Sequence, residues 1–159
     1  MVMEQDELIE KIKGWFRKKT VTVRILFGPD DGVGELLMQA TEFKSKKDWA
    51  SALAALAKAK KLMLVSSVTY PGETWCKYPL YLQWAGRFDE SMAEFQFLLD
   101  DLERRARRET RLDDSDSGPK KRKMACYRII VREGRRVIKE KMALAKTRQQ
   151  KAEAKRVPR

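Results

Sequence analysis

Ala85-Gly86-Arg87-Phe88-Asp89-Glu90-Ser91-Met92-Ala93-Glu94-Phe95 decides the fold of this chain. A glycine closes one helical pattern and an aromatic residue opens the next. Phe88, Ser91, Met92 and Phe95 then recur on one face at helical spacing. The same arrangement occurs 39 residues earlier, where Lys47-Asp48-Trp49-Ala50-Ser51-Ala52 aligns with Gly86 to Ser91. Each segment joins two helical patterns of similar length by a tight turn, with an aromatic residue two positions on. Large residues (Trp75, Phe88) are set against small ones (Ala52, Ser91), so paired helices can approach closely. A hairpin of this kind hides one face only, so neighbouring hairpins must stack.

The second copy resembles the turn and second helix of a tetratricopeptide repeat. Gly86, Phe88, Ser91 and Phe95 occupy that family's turn glycine, aromatic, small and large positions, and Trp75 falls at its first-helix aromatic. In the first copy Trp49, Ala52, Leu56 and Ala59 fit, with Leu36, Ala40 and Phe43 in the preceding helix. Lys47 departs from the turn glycine, and Tyr78-Pro79 stands where the family prefers Leu-Gly. The resemblance covers Gly34 to about Leu102. It implies an all-α fold of two tetratricopeptide-like hairpins. It also implies a concave face, built by the first helices, that takes a partner protein or assembly. Carried onto this chain, that partner groove is Leu37, Thr41 and Lys44 from the first copy, with Cys76, Leu80, Gln83 and Trp84 from the second. The alternative is that the C-terminal helix fills the groove with its own Tyr127–Ile130–Val137 stripe.

Outward from the repeats, Leu8, Ile9, Ile12, Trp15 and Phe16 predict an amphipathic N-terminal helix over Glu4–Lys19. Thr20–Phe27 (TVTVRILF) is β-branched but has no second strand to pair with, so it reads as an extended arm. Gly28-Pro29-Asp30-Asp31-Gly32 is a turn whose acids are placed to cap the next helix. Helices are predicted over Glu35–Lys46, over Trp49–Leu64 with Asp48 as cap, over Trp75–Ala85 with Thr74 as cap, and over Phe88 to about Leu112. Pro79 then falls in or just past a first turn. Asp113–Pro119 (DDSDSGP) is a loop, and a long helix runs from Met124 to about Arg156. The expected organisation is a helical-repeat body with its N-terminal cap over 1–112, a basic linker over 113–123, and a C-terminal helix with a projecting basic tail over 124–159.

The charge is segregated. Of 159 residues, 35 are Lys or Arg and 23 Asp or Glu, a net of +12. From Gly118 onward there are 16 basic residues and 3 acids, a net of +13; the preceding part holds 19 and 20, a net of −1. Localised basicity is the footprint of a nucleic acid or another acidic surface. A basic stripe is expected from Arg104, Arg105, Arg107, Arg108 and Arg111, through Lys120, Lys121, Arg122 and Lys123, to Arg128, Arg132, Arg135 and Arg136. It would make phosphate contacts. No recognition helix, zinc finger or aromatic platform accompanies it, so binding would not depend on sequence. The run at Lys120–Lys123 also matches a nuclear-import signal.

Enzymatic classes find little support. The chain has no histidine, which removes the commonest general base and metal ligand. Cys76 and Cys126 are fifty residues apart, so no redox pair or zinc knuckle forms. The adjacent pairs Asp100-Asp101 and Asp113-Asp114 do not converge on one site. Gly-Lys-Ser/Thr and Gly-x-Gly-x-x-Gly are absent, which argues against a nucleotide loop. No cofactor and no metal are expected. Met1–Glu10 holds four acids and no apolar run, unlike a secretory signal. No stretch approaches the roughly 18 apolar residues of a membrane helix. Lone cysteines suit a reducing interior. The expectation is a non-enzymatic, cytoplasmic protein–protein interaction module. The alternative is a nucleic-acid or ribonucleoprotein binder using the basic stripe, including a mobile-element inhibitor of a nucleoprotein complex.

Overall fold

The computed structural model describes residues 32–66, 68–116 and 118–156, so the expected N-terminal helix and extended arm lie outside the described residues. Among the described residues six helices follow in order: α1 (Val33–Ser45), α2 (Trp49–Val65), α3 (Gly72–Trp84), α4 (Phe88–Asp100), α5 (Leu102–Glu109) and α6 (Lys120–Arg156). Among the described residues there is no strand. α1 packs on α2 and α3 on α4, α2 joins the two hairpins through α3, and α6 lies against α3, α4 and α5.

The two hairpin turns share one backbone. After α1, the Lys47 N–H donates to the Lys44 carbonyl at 2.9 Å and the Asp48 N–H to the Phe43 carbonyl at 2.9 Å. After α3, Gly86 donates to Gln83 at 3.0 Å and Arg87 to Leu82 at 2.9 Å. Each acceptor in one turn is 39 residues from its counterpart in the other. This is the Schellman closure, which needs a left-handed residue after the helix. Gly86 supplies it with φ of 78°, and Lys47 adopts φ of 57°. A side chain in that region costs about 1 kcal/mol relative to glycine. Lys47→Gly is therefore expected to stabilise the fold by about 1 kcal/mol and Gly86→Ala to destabilise it by a similar amount, read from urea midpoints. A third copy of the turn ends α5, where Arg111 has φ of 49° and the Leu112 N–H reaches the Arg107 carbonyl at 3.0 Å. That turn ends the helix at Glu109, short of Leu112.

Several boundaries differ from expectation. α1 begins at Val33, two residues early and directly behind Gly32, and the acids expected to cap it, Asp30 and Asp31, lie outside the described residues. Asp48 does cap α2, its carboxylate accepting the Ser51 N–H at 3.1 Å. α3 begins at Gly72, three residues early, because the Pro71 carbonyl accepts the N–H groups of Thr74 and Trp75. Thr74 is thus inside the helix rather than its cap. Pro79 accordingly sits in the helix interior, where it offers no N–H to the preceding turn. Its own carbonyl accepts the buried Ser91 hydroxyl at 2.7 Å, tying α3 to α4. The long fourth helix is divided at Asp101, although i to i−4 bonds continue through it. α6 starts at Lys120, so Lys120–Lys123 form its first turn and not a linker; the Pro119 carbonyl accepts from Arg122 and Lys123.

One core cluster is shared by all six helices, with Val33 from α1. It contains Ala59 and Met63 from α2, Trp75 and Cys76 from α3, Phe95 and Leu98 from α4, and Leu102 from α5. α6 adds Val137, Ile138 and Ala145. A second cluster joins Ala40, Ala52, Leu53 and Leu56 to Tyr81 and Leu82. α6 reaches the first cluster because Gly134 lacks a side chain: a Cβ there would stand 2.8 Å from the buried Leu102 Cδ1.

Candidate functional site

The seven positions of the expected groove divide into a covered set and an open set. Cys76 is completely buried and Gln83 nearly so. The Gln83 amide N–H donates to the Ala145 carbonyl of α6 at 2.6 Å, and Arg148 donates to the Gln83 oxygen at 3.5 Å. Here α6 lies on the inner face of α3. Val137, Ile138 and Ala145 enter the core, whereas Tyr127 lies beside Arg107, whose Cζ is 5.7 Å from the ring centroid. Leu37 and Leu80 are half-buried against the core clusters. Thr41 is exposed, its hydroxyl donating to the Leu37 carbonyl at 2.9 Å.

Lys44 and Trp84 remain at an aromatic corner near the hairpin turns. Trp84 is 38% exposed. Its ring centroid lies 5.2 Å from that of Tyr81 and 6.4 Å from that of Trp49, and the Lys44 ammonium stands 3.9 Å from it. Tyr81 and Trp49 are additions that the repeat pattern did not assign to the groove.

Burial pushes the Cys76 thiol up to about 12, with the Glu73 charge adding to it. A thiol so protonated is a poor nucleophile. Cys126 is exposed on α6. A thiol reagent is therefore expected to modify one equivalent in the native chain, at Cys126, and two after denaturation, as counted by intact mass.

The basic stripe is not continuous, because of its thirteen members Arg105 and Lys123 are buried and Arg108 is half-buried against backbone carbonyls. Arg105 is 3% exposed, donates to the Leu98 carbonyl at 2.9 Å, pairs with Asp101 at 3.3 Å and stacks 4.1 Å from the Trp75 ring centroid. Burial lowers the pKa of its guanidinium and the Asp101 charge opposes that shift. Arg108 donates to the Leu64 and Met63 carbonyls at the end of α2, where a helix leaves acceptors unsatisfied. Lys123 is buried and donates to the Asp114 carbonyl. Arg104 and Arg107 are exposed and paired with Asp101 and Asp113. Arg111, Lys120, Lys121, Arg122 and Arg128 are exposed. Arg132 and Arg136 share Glu133, and Arg135 reaches Glu103 of α5 at 3.0 Å.

Among the concavities that α6 borders, two lie along its middle. One, of about 510 Å³, lies between α5 and α6 and is lined by the cations of the stripe's last part together with Tyr127 and Val131. The other, of about 320 Å³, is largely apolar and is bounded by Tyr70, Trp75, Leu102 and Val137, with Arg105 and Glu109 at its polar side. Burial raises the Glu109 carboxyl from 4.5 to about 7, against the pull of Arg105 and Arg108. A folded-state pKa above the unfolded one means the folded chain holds the extra proton, so stability falls as pH rises. That loss is expected between 4.5 and about 7 and should level off above it. Lowered carboxyls such as Glu42 and Asp48 act at more acid pH. Urea midpoints across the window should show the decline, and Glu109→Gln should flatten it.

Among the described residues no group of three or more His, Cys, Asp or Glu side chains is placed to hold a metal ion, and no helix is long and apolar enough to cross a membrane. No family model, no curated protein and no solved structure matches this chain.

Proposed function

We propose that this chain is a non-enzymatic interaction module of tetratricopeptide-like hairpins. In this reading it docks a macromolecular partner through the outward, basic face of α6. The observation that carries it is the division of labour on α6. The helix occupies the inner face of α3 with its apolar side, which removes part of the groove a partner would use. Its other side holds Lys121, Arg128, Arg132, Lys139 and Lys146, all exposed and within one stripe at 3.6 residues per turn. Such a row attracts an acidic surface and speeds encounter with it. The cytoplasm is the proposed compartment, a reducing one that suits two free cysteines.

The test is retention on immobilised heparin, used as a generic polyanion. The full chain should elute at clearly higher salt than a variant with Arg128→Glu, Lys139→Glu and Lys146→Glu, with both equally helical. Elution at the same salt would count against the outward face as the docking surface.

A second reading rests on Trp84. An exposed tryptophan packed beside two tilted aromatic rings and a lysine is the composition of a protein-binding anchor. It predicts a protein partner lost on Trp84→Ala with helicity and heparin retention unchanged, whereas Leu80→Ala would also loosen the core it packs on.

A further inference from the structure

We infer that the concavity between α5 and α6 is a site for single-stranded nucleic acid, bound without regard to sequence. The inference rests on the reading above and gives the partner a chemical class.

Arg128, Arg132, Arg135, Arg136 and Lys139 supply five cations, and Glu103 is the single carboxylate of the lining, engaged by Arg135 at 3.0 Å; Glu133 and Glu140, outside the lining, pair with Arg132 and Arg136 and leave the five a net positive charge. The apolar lining is Tyr127 and Val131. Cations at i and i+4 stand about 6 Å apart along a helix, so the row offers successive positive charges to an extended, regularly charged chain. The row continues beyond the groove at both ends, to Lys121 and Lys146, and covers roughly 38 Å of helix.

Tyr127 decides between the possible polyanions. It is half-buried, directly beside Arg128 and near Arg107, whose Cζ is 5.7 Å from its ring centroid. An aromatic face among cations is what a nucleobase uses: phosphates go to the cations and the base stacks on the ring. An acidic peptide offers carboxylates but nothing for that ring. A duplex offers phosphates but keeps its base faces stacked inside. Single strands satisfy both halves of the lining. Stacking accepts any base, so sequence discrimination is not expected.

The test measures binding of the full chain to a labelled oligothymidylate of roughly 20 nucleotides by anisotropy, between about 50 and 200 mM salt. With about five phosphate contacts, log affinity should fall with log salt at a slope near −3 to −4. Arg128→Ala and Arg132→Ala should each lessen that slope by about 0.7. Tyr127→Ala should weaken binding roughly ten-fold or more, the loss of one stacked base, while Tyr127→Phe keeps it. Lys61→Ala, an exposed cation on α2 outside the groove, should bind as the parent does. Should Tyr127→Ala unfold the chain, the slopes of the two arginine variants still decide the matter.

A matching duplex bound as tightly as the single strand, with Tyr127→Ala without effect, would overturn the single-strand assignment. So would polyglutamate bound as tightly as the oligonucleotide. No oligonucleotide binding, with heparin retention intact, would overturn the nucleic-acid assignment and leave the basic docking face standing. Loss of both would overturn the two together.

Discussion

A chain ending at residue 116 is expected to lose cooperative folding. α6 contributes Val137, Ile138 and Ala145 to the main core, which also holds Cys76, and it lies against Gln83 of α3 and Leu102 of α5. Burying a Val or Ile side chain stabilises by about 1.5–3 kcal/mol. The apolar surface uncovered on α3, α4 and α5 would add a comparable loss. The sum approaches the roughly 5–15 kcal/mol that holds a whole domain folded. The measurement is a thermal melt followed by circular dichroism. The shortened chain should show no sharp transition, whereas a chain ending at residue 146 should melt close to the full one, because residues beyond Ala145 are mostly exposed. A sharp transition of the 116-residue chain near the full-length temperature would mean that α6 only rests on a self-sufficient body. The expected result also governs experimental design. Deleting the basic segment would destroy the core along with the charge, so the proposed docking face has to be tested by charge reversal.

The second large effect is at Arg105. Its guanidinium is inside the protein, held by the Leu98 carbonyl, Asp101 and the Trp75 ring. Removing one partner of a buried ion pair leaves the other charge without compensation and typically costs about 3–5 kcal/mol. Arg105→Ala should lower stability by about that amount, because the buried Asp101 keeps only Arg104 as an ion partner. Arg105→Met combined with Asp101→Asn should recover much of the loss, since replacing both partners removes the uncompensated charge. The neighbouring Arg104 is exposed, and Arg104→Ala should cost at most about 1 kcal/mol. Urea denaturation of the four proteins closes the comparison. If Arg105→Ala behaves like Arg104→Ala, the guanidinium is not in the core.

These two residues are adjacent and look alike in the sequence, and that marks where sequence reading stops. Five arginines in the segment from Arg104 to Arg111 read as one basic patch. The fold sends Arg105 inward, uses Arg108 to satisfy the end of α2, and leaves Arg104, Arg107 and Arg111 outside. The fate of Arg108 depends on Leu64, forty-four residues away. Lys123 was a member of a charge run and is instead a buried donor to a loop carbonyl. Tyr127 read as a core residue in an apolar stripe and lies at the edge of the basic groove. Gly134, within that same stripe, marks the close contact with Leu102.

Local rules carried further. The all-helical class, the hairpin turns at Lys47 and Gly86, the capping role of Asp48 and the charge division after Gly118 follow from residues within about six positions of one another, the range of a helix turn and its closure. The two turns, 39 residues apart, close with the same pair of hydrogen bonds, since helix closure is a short-range event. What fills the inner face of α3 was left open by the same residues. That question turns on the bond between Gln83 and Ala145, sixty-two residues apart, and on how closely α6 can approach the body. Side-chain burial and ion pairing across such distances exist only once the helices have packed, so tertiary structure alone decided which polar groups became core and which became surface.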